Sequence, residues 1–214
     1  FTEQKQYKLT STPFFGRKMF IVFEGLEGAG KEAVSKWCKR YLKKEGKRVE
    51  ELSYPDREGR FARIMDEILT GKATISPTSQ FLVFLADITK DQEKFERWMD
   101  EGTTVVADRY FFSTIAYQQM SPETAEKIFN ELKLVKPTVV FYLNITPDIS
   151  VGRTKNERKH FSRYAANKER LLHAKLKYQI MLEKNLISKW IEIDATKPLE
   201  ETIQEVKKRL DKMI

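Results

Sequence analysis

A single cysteine, Cys38, stands among 214 residues, so no disulfide can form within the chain, and its scarcity suits a reducing compartment. On this reading Cys38 is an ordinary buried thiol of the first helix. No apolar run approaches the roughly 18 residues that a membrane-spanning helix needs. The stretch before the first strand is polar and basic, unlike a secretory leader, so a cytoplasmic protein without a membrane partner is expected. No linker or low-complexity segment divides the chain, and one core-forming domain is expected over 19–214. Residues 1–18 read as an N-terminal extension or an expression remnant, with Met19 a natural start. A basic stripe is also missing. The 39 lysines and arginines exceed the 31 acids to give a net charge of +8. Yet the charges interleave, as in Lys90-Asp91-Gln92-Glu93-Lys94-Phe95-Glu96-Arg97, which is the pattern of solvated helix faces; no specific nucleic-acid partner is expected.

What is present begins with Gly25-Leu26-Glu27-Gly28-Ala29-Gly30-Lys31-Glu32, a phosphate-binding loop in every position but the last. Such an octamer means little without a strand before it and a helix after it. Met19 to Glu24 is a short apolar run suited to a buried parallel strand. Beyond Gly30, Val34, Trp37, Cys38, Tyr41 and Leu42 recur at helical spacing. The glycines let successive N–H groups turn inward toward phosphate oxygens at a helix N-terminus, and Lys31 adds a point charge. Glu32 and Ala33 follow in the first helical turn.

A serine or threonine hydroxyl is expected at position 32, as a neutral magnesium ligand. Two unit charges about 4 Å apart repel by about 4 kcal/mol at an effective dielectric near 20, so a carboxylate there matters. Three roles are open to Glu32: direct coordination of magnesium, weakened nucleotide binding without metal, or an outward turn as a helix N-terminal acid.

Four more strands are expected, over 48–53, 103–107, 138–143 and 190–193, with helices over 58–70, 77–100, 121–134, 163–188 and 198–212. Strands alternating with helices predict an α/β fold with a parallel sheet and right-handed crossovers. Ligands in such sheets bind at the carboxyl ends of strands. There the chain carries Tyr54-Pro55-Asp56-Arg57, then Asp108-Arg109-Tyr110 with Ser113, Thr114 and Tyr117, and later a segment bearing Arg153, Arg158 and Arg163.

In this order, and with Phe84 and Asp194-Ala195-Thr196-Lys197, these motifs resemble the thymidylate kinase family, nucleoside monophosphate kinases that make dTDP from dTMP and ATP. The resemblance runs from Met19 to the C-terminus. It implies a P-loop NTPase-type three-layer α/β fold, a five-stranded parallel sheet flanked by helices, and Mg2+ bound with ATP. It assigns Gly25, Leu26, Glu27, Gly28, Ala29, Gly30, Lys31, Glu32, Ala33, Arg153, Thr196 and Lys197 to ATP. Arg57 and Arg109 would grip the acceptor phosphate, Phe84 would stack on the pyrimidine, Thr114 would bond its edge and Tyr117 would pack on the deoxyribose. Glu27 would orient the acceptor, with Tyr54, Ser113 and Tyr164 completing its site. Asp108, with Glu32, would serve the metal. Catalysis would fall to Lys31, Arg109, Glu27 and a lid at about 150–165 carrying Arg153, Arg158 and Arg163, since Gly28-Ala29 leaves no arginine in the loop. Family members are commonly homodimers, a point on which the residues are silent.

Three positions depart from the family pattern: Glu32, Ile88 where an arginine usually helps read the base, and Ala165 where an acid is common. Loss of a base-reading donor predicts a relaxed acceptor range among pyrimidine monophosphates. Two readings stand at this point, an active thymidylate kinase with unusual metal handling and a diverged non-catalytic nucleotide-binding homologue.

Overall fold

The computed structural model describes residues 18–156 and 167–214. The expected extension, apart from Lys18, and Arg158, Arg163, Tyr164 and Ala165 lie outside the described residues. The chain runs β1 (Phe20–Gly25), α1 (Lys31–Lys44), β2 (Val49–Ser53), α2 (Ala62–Thr70), α3 (Pro77–Thr89), α4 (Gln92–Asp100), β3 (Thr104–Asp108), α5 (Phe111–Tyr117), α6 (Pro122–Glu131), β4 (Val139–Asn144), α7 (Pro147–Asn156), α8 (Lys168–Glu183), β5 (Trp190–Asp194) and α9 (Leu199–Leu210).

All five strands pair in parallel in the order β2-β3-β1-β4-β5. β1 therefore sits at the centre, and every residue of its Phe-Ile-Val-Phe-Glu-Gly run is buried. The edge strands read differently. Val49-Glu50-Glu51-Leu52-Ser53 and Trp190-Ile191-Glu192-Ile193-Asp194 carry acids on half-solvated backbone, which discourages further strand pairing. Helices α1 and α9 pack together on one face, while α4, α5 and α8 cover the other. This is the three-layer α/β arrangement expected of a strand–helix alternation. Among the described residues no helix is long and apolar enough to cross a membrane.

Several boundaries differ from the sequence reading, each for a local reason. The helix expected over 77–100 is two helices. At the junction Asp91 donates its N–H to the Ile88 carbonyl, three residues back, and its carboxylate receives the Tyr54 hydroxyl at 3.0 Å, so the regular ladder is interrupted. α3 itself starts as expected, Ser76 Oγ accepting the Ser79 N–H ahead of Pro77 at the first turn. α8 stops at Glu183 because Asn185 and Ile187 take left-handed backbone, with φ of 47° and 67°. The sequence pattern does not announce α5, since Phe-Phe-Ser-Thr-Ile-Ala-Tyr is short and mostly buried, without an amphipathic period. α7 begins ahead of the arginine-bearing segment and runs into it through Arg153, a helix that the sequence pattern does not announce.

The core centres on Phe20, whose ring lies 4.6 Å from Phe95 and 5.0 Å from Tyr110, centroid to centroid. Cys38 is fully buried and its thiol is pushed up to about 12 by that burial, so it packs and does not react. Replacing Phe20 by alanine is expected to lower unfolding stability by about 3–5 kcal/mol, read as a fall in the urea midpoint with an unchanged slope.

Candidate active site

The phosphate loop leaves β1 at Gly25, where φ is 145° and a Cβ would sit 2.5 Å from the Leu143 carbonyl oxygen on β4. Only glycine fits so close to the neighbouring strand. Leu26 and Ala29 are buried and close the loop from beneath, the Ala29 N–H donating to the Leu26 carbonyl at 3.3 Å. Gly30, left-handed with φ 86°, turns the chain into α1. The first N–H groups of that helix consequently face the loop, as an anion site requires. Lys31 folds back over the loop, its Nζ donating to the Leu26 carbonyl at 2.7 Å. Burial, helped by the nearby Arg109 charge and opposed by Asp108, Glu24 and Glu27, lowers its ammonium to about 7.

The expected acceptor side forms where β3 ends beside β1. Phe23 is in register with Asp108, and the Arg109 N–H extends the ladder to the Phe23 carbonyl at 2.9 Å. Arg109 then takes a left-handed conformation, φ 67°, which is rare for a residue with a long side chain. Its Nη1 donates to the Gly25 carbonyl at 3.0 Å and to Ser113 Oγ at 2.9 Å, and the guanidinium lies 5.5 Å from the centroid of the Tyr117 ring. The Ser113 hydroxyl in turn donates to Glu24 Oε2 at 2.6 Å. Thr114 is buried one residue further on, and Phe84 packs in a separate apolar cluster with Met65 and Ile68.

The Tyr54-to-Arg57 loop reaches the same end of the sheet from β2. Its tyrosine is buried, with the hydroxyl committed to Asp91, whereas Arg57 is exposed. Asp87 anchors the loop by accepting the Asp56 N–H at 2.8 Å, and Lys90 Nζ lies 3.2, 2.9 and 2.8 Å from carboxylate oxygens of Asp56, Asp87 and Asp91. The Ile88 side chain is wholly inside the core and has no group that could hydrogen-bond a base.

On the donor side α7 is stitched to the phosphate loop. Ser150 Oγ donates to the Glu27 carbonyl at 2.7 Å. Arg153 Nη1 donates to Gly28 O at 3.1 Å and Ala195 O at 2.9 Å, and its Nη2 to Thr196 O at 3.2 Å. The guanidinium thereby joins the phosphate loop to the loop after β5, a different arrangement from the charge-supplying lid arginine that the sequence suggested. Thr196 folds onto Asp194 by two bonds, from its N–H at 3.0 Å and its hydroxyl at 2.6 Å, and these hold the Asp194 carboxyl below its usual range. Lys197 beside it is exposed.

Of the two carboxylates expected to serve a metal, Asp108 meets one physical test. Its Oδ1 is buried without a hydrogen-bond partner, beside the loop lysine, and burial raises its carboxyl above the usual range, with Glu32 adding to the shift. A buried orphan oxygen at this position is the donor type that a hard divalent cation and its waters would satisfy. Glu32 is exposed and pairs with Lys36, whose hydrogen bond and charge, with a lesser effect of Arg57, hold its carboxyl low. The carboxylate is thereby turned toward solvent and onto α1.

The sequence reading assigned no role to Glu24, Lys90 or Gln118. In sequence Glu24 is the last residue of an apolar strand, Lys90 stands in a run of interleaved charge, and Gln118 follows Tyr117; all three are buried or nearly so. A charged residue inside an apolar run was the one signal that pointed to Glu24.

The lowered Lys31 ammonium has a measurable consequence. A triphosphate favours the charged amine and raises its pKa, so above about pH 7 binding must draw a proton from solution. Calorimetry of ATP binding at pH 8 in buffers of different ionisation enthalpy is expected to show net proton uptake that fades below pH 6 and is lost in Lys31→Met.

A family model described as thymidylate kinase matches residues 23–206. A probable thymidylate kinase of Archaeoglobus fulgidus is 31% identical, with 92% of this chain and 96% of that protein aligned. The Plasmodium falciparum thymidylate kinase is 28% identical over 91% of this chain and 90% of its own length. Among solved structures, thymidylate kinase from Candida albicans superposes with a TM-score of 0.73 at 19% identity, covering 92% of each chain, a likeness of fold. With a family model spanning most of its length and its phosphate loop and Asp-Arg-Tyr segment at adjoining strand ends, this chain belongs to the thymidylate kinase family.

Proposed function

We propose that the protein transfers the γ-phosphoryl group of ATP to dTMP, giving dTDP and ADP, with magnesium bound alongside ATP. The observation that carries this reading is the direct tie between the two halves of the site: Arg109, the acceptor-side arginine, donates to the carbonyl of Gly25, the first residue of the phosphate loop. Donor and acceptor residues are thus held on adjoining strand ends, as in-line transfer demands. Family membership and the intact Lys31 and Arg109 leave the non-catalytic alternative without support.

In this reading the loop amides and Lys31 bind the β- and γ-phosphates, and Arg57 and Arg109 hold the acceptor phosphate through their planar forks. Phe84, Thr114 and Tyr117 receive the nucleoside. Glu27 orients the acceptor, and Thr196 and Lys197 border the adenine. Arg153 serves ATP by holding two loops together, which assigns the lid's charge-neutralising role to Arg158 and Arg163. Asp108 would hold magnesium through water, which when bound neutralises charge on the β- and γ-phosphates. Ile88 offers no donor to the base, so selection between thymine and uracil rests on the fit of one methyl group.

Steady-state assays with ATP, magnesium and each monophosphate test the reading. Turnover is expected with dTMP, and with dUMP at a kcat/KM within about 100-fold of it, the range open to a pocket that senses one carbon. No turnover with any pyrimidine monophosphate would refute it. Asp108→Asn is expected to raise the magnesium concentration for half-maximal rate by about tenfold. Glu32→Ser should lower it, since a hydroxyl in the first turn of α1 would supply a neutral metal ligand that the carboxylate, turned onto Lys36, does not. Unchanged metal curves for both variants would remove these carboxylates from metal binding.

A further inference from the structure

Glu24 is the penultimate residue of β1, follows four buried apolar residues, and has no exposed surface at all. Burying a carboxylate is costly unless its oxygens are fully engaged, and here they are. Oε1 accepts the N–H groups of Tyr110 at 2.8 Å and Ser113 at 3.1 Å; Oε2 accepts the hydroxyls of Ser113 at 2.6 Å and Tyr178 at 2.8 Å. Three of these four donors belong to the segment that follows Arg109, and the fourth comes from α8.

The direction of these bonds is the informative part. Four donors converge on its two oxygens, an arrangement that leaves the carboxyl only accepting, so the Ser113 and Tyr178 hydroxyls both point their protons at it. With its proton committed, Ser113 Oγ presents lone pairs to Arg109 Nη1, 2.9 Å away. Glu24 thereby sets the polarity of a relay that ends on Arg109, and its two backbone bonds brace the chain just after that residue's left-handed turn. With Nη1 held between Ser113 Oγ and the Gly25 carbonyl, the plane of the guanidinium is fixed.

We propose that Glu24 is a positioning residue for acceptor binding: through Ser113 and the Tyr110 N–H it aims the Arg109 guanidinium at the phosphate of the nucleoside monophosphate. This rests on the reading of the protein as a dTMP kinase. Glu24 touches neither nucleotide in this scheme; its effect passes entirely through Arg109.

Glu24→Gln is the discriminating variant, because an amide of the same shape can donate to Ser113 and Tyr178 and so reverse the relay. The KM for dTMP is expected to rise about tenfold while the KM for ATP stays within about twofold. Independently of turnover, the increase in melting temperature that dTMP alone confers should shrink in the variant, with the increase conferred by ATP and magnesium retained. Tyr178→Phe, which removes one donor and keeps the ring, should raise the dTMP KM about threefold and decides the matter if Glu24→Gln does not fold. A purely structural role would lower the melting temperature of the free protein and move both KM values alike, or neither; either result overturns the proposal. A wild-type protein that phosphorylates dTMP while both variants keep its acceptor KM refutes the positioning role alone. A wild-type protein that neither binds nor phosphorylates dTMP removes the functional reading and this inference together.

Discussion

Two acids and two bases share the carboxyl ends of β1 and β3, and none is affordable there without the others. Glu24, Asp108, Lys31 and Arg109 lie in a region of low dielectric where an isolated charge would carry a heavy desolvation cost. Their shifts record the balance. Burial raises the carboxyls of Glu24 and Asp108, with Arg109 acting against it at both and Lys31 at Asp108; burial and the Arg109 charge lower the amine of Lys31 against the pull of Asp108 and Glu24; and Tyr117, Tyr178, Asp108 and Glu24 raise Arg109 despite its burial. A cluster assembled this way has little freedom to rearrange. Such rigidity suits phosphoryl transfer, where the protein's contribution is placement and charge rather than covalent chemistry.

Around that cluster the structure divides into a braced acceptor side and a stitched donor side. On the acceptor side Lys90 draws three carboxylates onto one ammonium and so ties the loop carrying Arg57 to the break between α3 and α4. The same break places Asp91 under the Tyr54 hydroxyl, so an irregularity between two helices seats the loop that carries Arg57. On the donor side Ser150 and Arg153 bind α7 to main-chain carbonyls of the phosphate loop and of the loop after β5. α7 overlaps the start of the expected lid, so the base of that segment is anchored to the phosphate loop.

Much of the fold was legible because its signals are local. Five apolar runs separated by amphipathic periods announce a parallel sheet, and the strands begin and end within a residue or two of their expected bounds. The helices were harder. α5 has no amphipathic face to read, and the break at Lys90-Asp91 arises from partners more than thirty residues away in sequence. Among the candidate site residues, the phosphate loop was recognisable from its glycines and its flanking strand and helix. The identity of Arg57, Arg109 and Asp108 as strand-end residues followed from their motifs. What the side chains actually touch did not follow: Tyr54 gives its hydroxyl to Asp91, Ser113 gives its own to Glu24, and Arg153 spends its guanidinium on carbonyls.

Residue order alone therefore determined the strand–helix alternation, the phosphate loop and the family, because each depends on spacing along a contiguous stretch. The tertiary structure decided which charges meet. Glu24 and Arg109 are 85 positions apart, and only the pairing of β1 with β3 brings them together. A buried carboxylate and a left-handed arginine are tolerable only when the donors and countercharges that satisfy them arrive from other elements, and no local pattern can announce that arrival.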